Sequence, residues 1–252
     1  MLGGTDIRNV PWQGGGTMKE IDTFVTEQLY VHSKLLIADD RVVICGSANL
    51  NDRSLKGSRD SEIALVIEDP TRLATQVNSQ PFQTSKFAAT LRRYLFRKHL
   101  GLLQPQGMRK PDCNFMPAPA ANDYDFGSAE DRLVADPLSD SLLKHWIDVA
   151  YQNTLAFRKV FVPMPDDTAK TWLQYRALFW KRFTGPDGLH MLQWGHVAKD
   201  NFPSGEEEVK QVKEELATVK GTPVEMPLEF LVNTYIQIED PGYNIITRQG
   251  YV

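Results

Sequence analysis

His32 and Lys34 stand two residues apart in the apolar run from Val31 to Ile37. In a strand successive side chains alternate faces, so an imidazole and an ammonium share one side while Val31, Ser33, Leu35 and Ile37 take the other. Asp39 and Asp40 interrupt the run and Arg41 to Cys45 resume it, which predicts a tight hairpin into a second buried strand. That strand ends in Gly46-Ser47-Ala48-Asn49. Ser47 and Asn49, again two apart, offer a hydroxyl and an amide to the same volume. A lone histidine in an apolar strand is usually structural, but four clustered polar groups are not, because each costs about 1–3 kcal/mol if buried without a partner. A phosphate answers all of them: it supplies the anion that Lys34 needs and accepts hydrogen bonds from the rest. The chemistry read here is that of phosphodiesters. Asp39, in the turn, is assigned a structural role, bonded to local backbone or a nearby cation.

The elements that must position these groups follow along the chain. Residues 1 to 19, with Gly3-Gly4, Pro11 and Gly14-Gly15-Gly16, read as loop, and the core is expected to start at Thr23, entering the hairpin through Phe24, Val25, Leu29 and Tyr30. After Asn49 the polar stretch Leu50 to Asp60 is expected to border the site. Ser61 to Ile67 alternates, with Glu62, Ala64 and Val66 on one face, and predicts a third strand. A helix is predicted over Ser85 to Leu100, packing through Phe87, Leu91, Leu95 and Leu100 and stopped by Gly101, with Arg92, Arg93, Arg97, Lys98 and His99 on a solvated face.

Residues 103 to 127 read as an irregular connector. Beyond it, helices are predicted from Ser139 or Asp140 through a stripe of Leu142, Leu143, Trp146, Ile147, Ala150, Thr154, Phe157 and Phe161, over Trp172 to Phe183, and over Gly205 to Val219. Thr222 to Val232, broken by Pro223 and Pro227, is expected as an edge strand on the main sheet.

Composition narrows the classes. The 252 residues are 42% hydrophobic, enough for a sizeable core. A net charge of -4 argues against a protein that coats nucleic acid, and no nucleic-acid partner is expected. Cys45 and Cys113 are too few for a disulfide framework, which suggests a reducing compartment, with the cytoplasm as default. No apolar run reaches the length of a membrane span, so any membrane association is expected to be peripheral.

The segments HSKLLIADD, GSANLNDRS and GSRDSEIA resemble the second HKD motif of a eukaryotic, fungal-type phospholipase D. The likeness continues through FQTSKFAATLRRYLFRKHLG, ADPLSD, KVF, PDDT, WGHV and VKEELATVKGTPVEMPLEFL, most of the chain after about residue 23. The resemblance implies that two such motifs meet at a pseudo-twofold axis. One His attacks phosphorus, the other protonates the leaving alcohol, and water releases the phosphohistidine. By that resemblance His32, Lys34 and Glu62 are catalytic, Glu62 fixing the imidazole tautomer. Lys34, Ser47 and Asn49 bind the substrate phosphate, and Asp39, Gly46, Arg53 and Asp60 are structural. His32 takes the acid-base role, and no metal or other cofactor is called for.

The implied fold is α/β, a mixed-sheet sandwich lobe forming the C-terminal half of a pair, with a helical extension. The expected organisation is an irregular segment of a truncated lobe over 1–22, the HKD half-domain over 23–102, the connector over 103–127, and a helical extension packing on the lobe over 128–252. HxKxxxxD occurs once, and His99, His145, His190 and His196 lack its spacing. The expectation is therefore half of an active site, turning phosphatidylcholine into phosphatidic acid and choline at a membrane surface only with a missing N-terminal HKD half. The alternatives are a single-motif homodimer acting on nucleic acid or cardiolipin, and a non-catalytic remnant that binds phosphate or lipid.

Overall fold

A computed structural model describes residues 6–26, 30–104, 113, 125–184, 187–188, 195–202 and 206–235, without the side chains of Arg182, Phe183, Lys199 and Glu206. The chain divides into two compact units that interleave along the sequence. Of the described residues, the motif unit takes those within 30–97 and 113–142, and the helical unit those within 6–26, 98–104 and 143–235. Most of the predicted connector, and His190, lie outside the described residues.

The motif unit is built on an antiparallel sheet of β1 (Lys34–Ala38), β2 (Val42–Gly46) and β3 (Ala64–Glu68), in that spatial order. All three strands match the expectation, β1 and β3 shorter than their sequence runs and β2 shifted by one residue. Lys34 pairs with Gly46 and Gly46 with Ala64, while Ala38 pairs with Val42 and Val42 with Glu68. The turn residues Asp39 and Asp40 both adopt left-handed backbone (φ 52° and 51°), which aspartate tolerates because its short side chain can bond locally. The sheet is far more open than the expected buried hairpin. Val43 is its one buried hydrophobic residue, and Leu36, Ile44 and Val66, in register across the three strands, are all exposed.

A second hairpin, unforeseen, follows: β4 (Arg72–Val77) and β5 (Gln80–Ser85). Its two-residue turn, Asn78-Ser79, has positive φ at both positions, the mirror-image turn that matches strand twist. The Asp136 carboxylate accepts both turn amides, at 2.9 and 2.7 Å.

After the one-turn α1 (Asp52–Leu55) comes α2 (Lys86–His99), where the largest correction lies. Arg92, Arg93 and Arg97, expected in solvent, are buried, whereas Phe87, Leu91 and Leu95 are only half-buried. The arginines are tolerated inside because each meets a carboxylate: Arg92 with Asp40 at 2.7 Å, Arg93 with Asp131 at 3.1 Å, and Arg97 with Asp125. Gly101 ends the helix with φ 68°, as its sequence position predicts.

The short α3 (Ala129–Leu133) is capped by Ser128, and α4 (Asp140–Val160) by Ser139, whose hydroxyl accepts the Leu142 amide. In α4 the buried stripe runs through Leu142, Val149, Ala150, Asn153, Ala156 and Val160, so Leu143 and Ile147 of the expected stripe fall on the exposed side. The helical unit gathers Ile21, Val160, Phe161, Val197, Phe202 and Val212 into one core, to which α6 (Glu206–Ala217) contributes Val212. Between them α5 (Trp172–Phe183) has the predicted limits. Ile21 lies in a 3-10 turn, Glu20–Thr23, so the core of this unit begins two residues ahead of the expected start at Thr23, inside the segment 1–22 expected to be irregular.

Thr222 to Val232 is not an edge strand. It runs as irregular chain and turns within the helical unit, where the Asn153 amide donates to the Lys220 and Pro223 carbonyls at 2.7 and 2.8 Å. A buried asparagine offers this segment its backbone partners, and two prolines leave it poorly supplied with amides for a strand ladder.

Candidate active site

The sheet of the motif unit is fixed at one end and open at the other. At the turn end, the Asp40 carbonyl accepts the Ser85 amide at 2.8 Å, its carboxylate takes Nε and Nη2 of Arg92, and the Arg41 guanidinium lies 4.3 Å over the Phe82 ring while bonding the Gln83 carbonyl. Asp40, and not its neighbour Asp39, makes the buried contact. At the open end lie the candidate groups.

Register brings three of them together. Lys34 begins β1 opposite Gly46, Ser47 follows Gly46 directly, and Glu62 sits two residues ahead of Ala64 at the start of β3. A β-carbon at position 46 would come within 2.7 Å of the Ala64 Cα and also meet the Ile63 carbonyl, so only glycine fits between the flanking strands. That close approach lets Ser47 and the third strand interlock. Ser47 donates its amide to the Ile63 carbonyl at 2.9 Å, accepts the Ile63 amide on Oγ at 3.0 Å, and gives its hydroxyl to Glu62. Hydrogen bonding from Ser47 is the first cause holding the Glu62 carboxyl below the usual carboxylate range, and Ser54 nearby and the charge of Lys34 act in the same direction. Glu62 is thus an anion next to the ammonium of Lys34.

The Lys34 ammonium donates to the His32 carbonyl at 2.8 Å, which folds its chain back along the residues preceding β1. His32 itself precedes the strand, exposed, with its ring 5.7 Å from that of Tyr30. The bond from imidazole to Glu62 that the resemblance implies is not among those Glu62 makes here. Asn49 is exposed beyond β2, its carbonyl accepting the Asn51 amide. Behind them the polar stretch is ordered by its own side chains. Asn51 caps α1 through the Ser54 amide at 3.0 Å, and Arg53 Nε reaches Asp60 at 2.8 Å.

Two participants were not singled out from sequence: Ser54, buried beside Glu62, and Tyr30, against the imidazole. The signal for Ser54 was present, since an asparagine three residues ahead of it is a helix-cap pattern that turns the following side chains inward. Tyr30 had been read as entering the core and is 80% exposed. Of the remaining histidines, His99 bonds Thr222 at 2.7 Å and is held below its ordinary value by burial, and His196 faces the Asp22 carbonyl. Both belong to the helical unit. Among the described residues no three His, Cys, Asp or Glu side chains are grouped as a metal site. Cys45 and Cys113 are free and exposed.

Chemically, the open end offers a cation, an ionised acid and a neighbouring exposed imidazole at the edge of a sheet whose apolar face is uncovered. A phosphate group suits the first, and a proton relay the other two.

Comparison with known proteins bears on this arrangement. The family model described as Phospholipase D matches residues 13–171. Phospholipase D zeta 1 of Arabidopsis thaliana is 32% identical over 219 residues, 86% of this chain and 18% of that protein. Phospholipase D1 of Mus musculus is 33% identical over 232 residues, 91% of this chain and 18% of that protein, and Phospholipase D B of Dictyostelium discoideum 30% over 242 residues, 96% and 15%. The chain spans less than a fifth of the length of these relatives.

Proposed function

Because the chain belongs to the phospholipase D family, we propose that it carries one half of a phospholipase D active site, the half built on the second HKD motif. The reaction is hydrolysis of phosphatidylcholine to phosphatidic acid and choline by two displacements. The imidazole of the complementary motif attacks phosphorus. His32, protonated, gives its proton to the departing choline oxygen, and the P–O bond breaks to leave a phosphohistidine. His32, now neutral, takes a proton from water, whose oxygen attacks phosphorus and expels the first imidazole. Lys34, with Ser47 and Asn49, holds the non-bridging oxygens and opposes the charge that builds on them in the transition state. Glu62 orients His32 and stabilises its protonated form.

The observation that carries this reading is the meeting of Lys34, Ser47 and Glu62 at the open sheet end, with the exposed His32 two residues ahead of Lys34. The exposed, in-register face of Leu36, Ile44 and Val66 supports a complementary lobe there, since so continuous an apolar strip marks a contact surface. The partner is the half carrying a first HKD motif, and the substrate a phospholipid at a membrane surface, reached by peripheral association on the cytoplasmic side. No described helix is long and apolar enough to cross a membrane.

The test is complementation. The purified chain alone releases no phosphatidic acid from phosphatidylcholine vesicles. Co-expression with a first-motif segment from a relative restores release, and His32→Ala abolishes it. Turnover by a monomer carrying His32→Ala overturns the reading, and turnover by the wild-type chain alone as a dimer replaces it with the homodimeric one.

A further inference from the structure

Helix α5 presents to solvent a face that mixes indole, aliphatic and cationic side chains. The sequence TWLQYRALFWKRF places Trp172, Arg176 and Trp180 four apart, with Leu173, Ala177 and Lys181 each one residue on, so the six form a single stripe. All six are exposed, Leu173 to 78% and the two indoles to about half their surface. Tyr175, on the inner side, packs against Phe179 at 6.0 Å and the edge of Phe230 at 5.8 Å, and stacks at 5.1 Å on Trp172 of the stripe. A capping box fixes the start of the helix, Thr171 accepting the Gln174 amide and the Gln174 side chain accepting the Thr171 amide. The exposed stripe is therefore held rigid by its own inner face.

A second segment lies beside the helix. The segment ending at Tyr235 is pinned beside the first turn of α5 by the Leu231 amide on the Ala169 carbonyl, the Asn233 amide on the Lys170 carbonyl and the Trp172 amide on Thr234, each at 2.9 Å. It adds exposed Val232 and Tyr235, with Met226 and Leu228 ahead of them, all more than half exposed.

Charge identifies what this face fits. In a chain of net charge -4, α5 contains Arg176, Lys181 and Arg182 and no acidic residue. Lys181 has one loose partner, Asp200, at 3.6 Å, both side chains about two-thirds exposed. Twelve residues of helix reach about 18 Å, too short to cross a bilayer, so such a helix lies in the interfacial plane. There Trp seats at headgroup level, Leu enters the acyl boundary and Arg and Lys meet lipid phosphates.

We propose that the Trp172, Leu173, Arg176, Ala177, Trp180, Lys181 face of α5 docks on an anionic phospholipid surface. The choice of a lipid rests on the phospholipase reading above, which did not say which face meets the membrane.

The experiment is co-sedimentation of the full chain with vesicles of phosphatidylcholine alone and of phosphatidylcholine with 30% phosphatidylserine. The chain is expected on the anionic vesicles, with affinity lowered about tenfold or more in Arg176→Ser/Lys181→Ser and less so at high salt. Trp172→Ala/Trp180→Ala weakens binding similarly, and Trp172→Phe/Trp180→Phe removes quenching of tryptophan fluorescence by brominated lipid. Leu173→Ser, at a position 78% exposed, is expected to lower binding with little effect on the fold and guards against a misfolded indole variant. His32→Ala leaves vesicle binding unchanged, so failure of catalysis and failure of docking are separable. Absence of binding to either vesicle, binding indifferent to all these substitutions, or a self-association abolished by Trp172→Ala/Trp180→Ala overturns the proposal, the last assigning the face to a second copy.

Discussion

Asp40 and Arg92 form an ion pair, Nη2 to Oδ2 at 2.7 Å, with side chains 6% and 7% exposed, between the turn of the motif hairpin and the middle of α2. Two further guanidinium donors reach the Val134 and Ala135 carbonyls, so the arginine is held from both sides inside the unit. Removing one partner leaves the other charge buried. Asp40→Asn and Arg92→Met are each expected to destabilise the motif unit by about 3–5 kcal/mol, whereas the double substitution loses less than their sum. Urea unfolding of the four proteins measures it, and additive losses would show the pair uncoupled.

Gly46 separates Lys34 from Ala64 across three strands. Gly46→Ala drives a methyl into the Ile63 carbonyl and the Ala64 backbone, and is expected to cost about 1–3 kcal/mol and to part Ser47 from the third strand. The fall in the denaturation midpoint should come with loss of hydrogen-exchange protection at the Ile63 amide, which Ser47 accepts. Full protection in the variant would refute the close fit.

Ser47 is the chief reason that Glu62 sits below the ordinary carboxylate range. Ser47→Ala is expected to raise the Glu62 titration towards the ordinary value, as followed by carboxyl carbon shifts against pH. In the complemented enzyme the same substitution is expected to move the acid limb of the turnover profile upward, because the anion proposed to orient His32 is then lost at higher pH. A Glu62 titration indifferent to Ser47 would remove the serine from this role.

Asp136 resists its own partial burial, which pushes the carboxyl up, because the amides of Ser79, Leu138 and Asn78 pull it below the usual range. Asp166, in the helical unit, behaves alike: burial is outweighed by Thr168 and Arg158. Each is a carboxylate whose value falls on folding, so its stabilisation is complete above the unfolded value of about 3.9 and drains as pH falls through the folded one. Stability is expected to decline below about pH 4, and Asp136→Ala to remove about 1–3 kcal/mol at neutral pH and flatten that decline. Unfolding midpoints from pH 7 to 3 check the slope, and a variant as pH-sensitive as wild type would contradict it.

Local pattern carried much of this molecule into view. The motif hairpin, the third strand, the limits of α5, the stop at Gly101 and the cap at Ser139 all follow from neighbours in sequence, because alternation, helical spacing and cap chemistry act over a few residues. The same pattern brought Lys34, Ser47 and Glu62 into candidacy, since register between short paired strands fixes which residues meet.

Short-range pattern thus accounts for the local order of the motif and for which of its residues became candidates for chemistry. Tertiary structure alone decided which charges go inside. Arg92, Arg93 and Arg97 read as a solvated stripe, because in isolation a guanidinium belongs in water. Asp40, Asp131 and Asp125, at least 28 residues away along the chain, make burial tolerable. The same holds for Asn153, buried to receive the chain at Lys220 and Pro223, and for Asp136, which caps a turn nearly sixty residues before it. A polar group's place depends on the partner that meets it, and that partner is chosen by the fold, not by its neighbours in sequence.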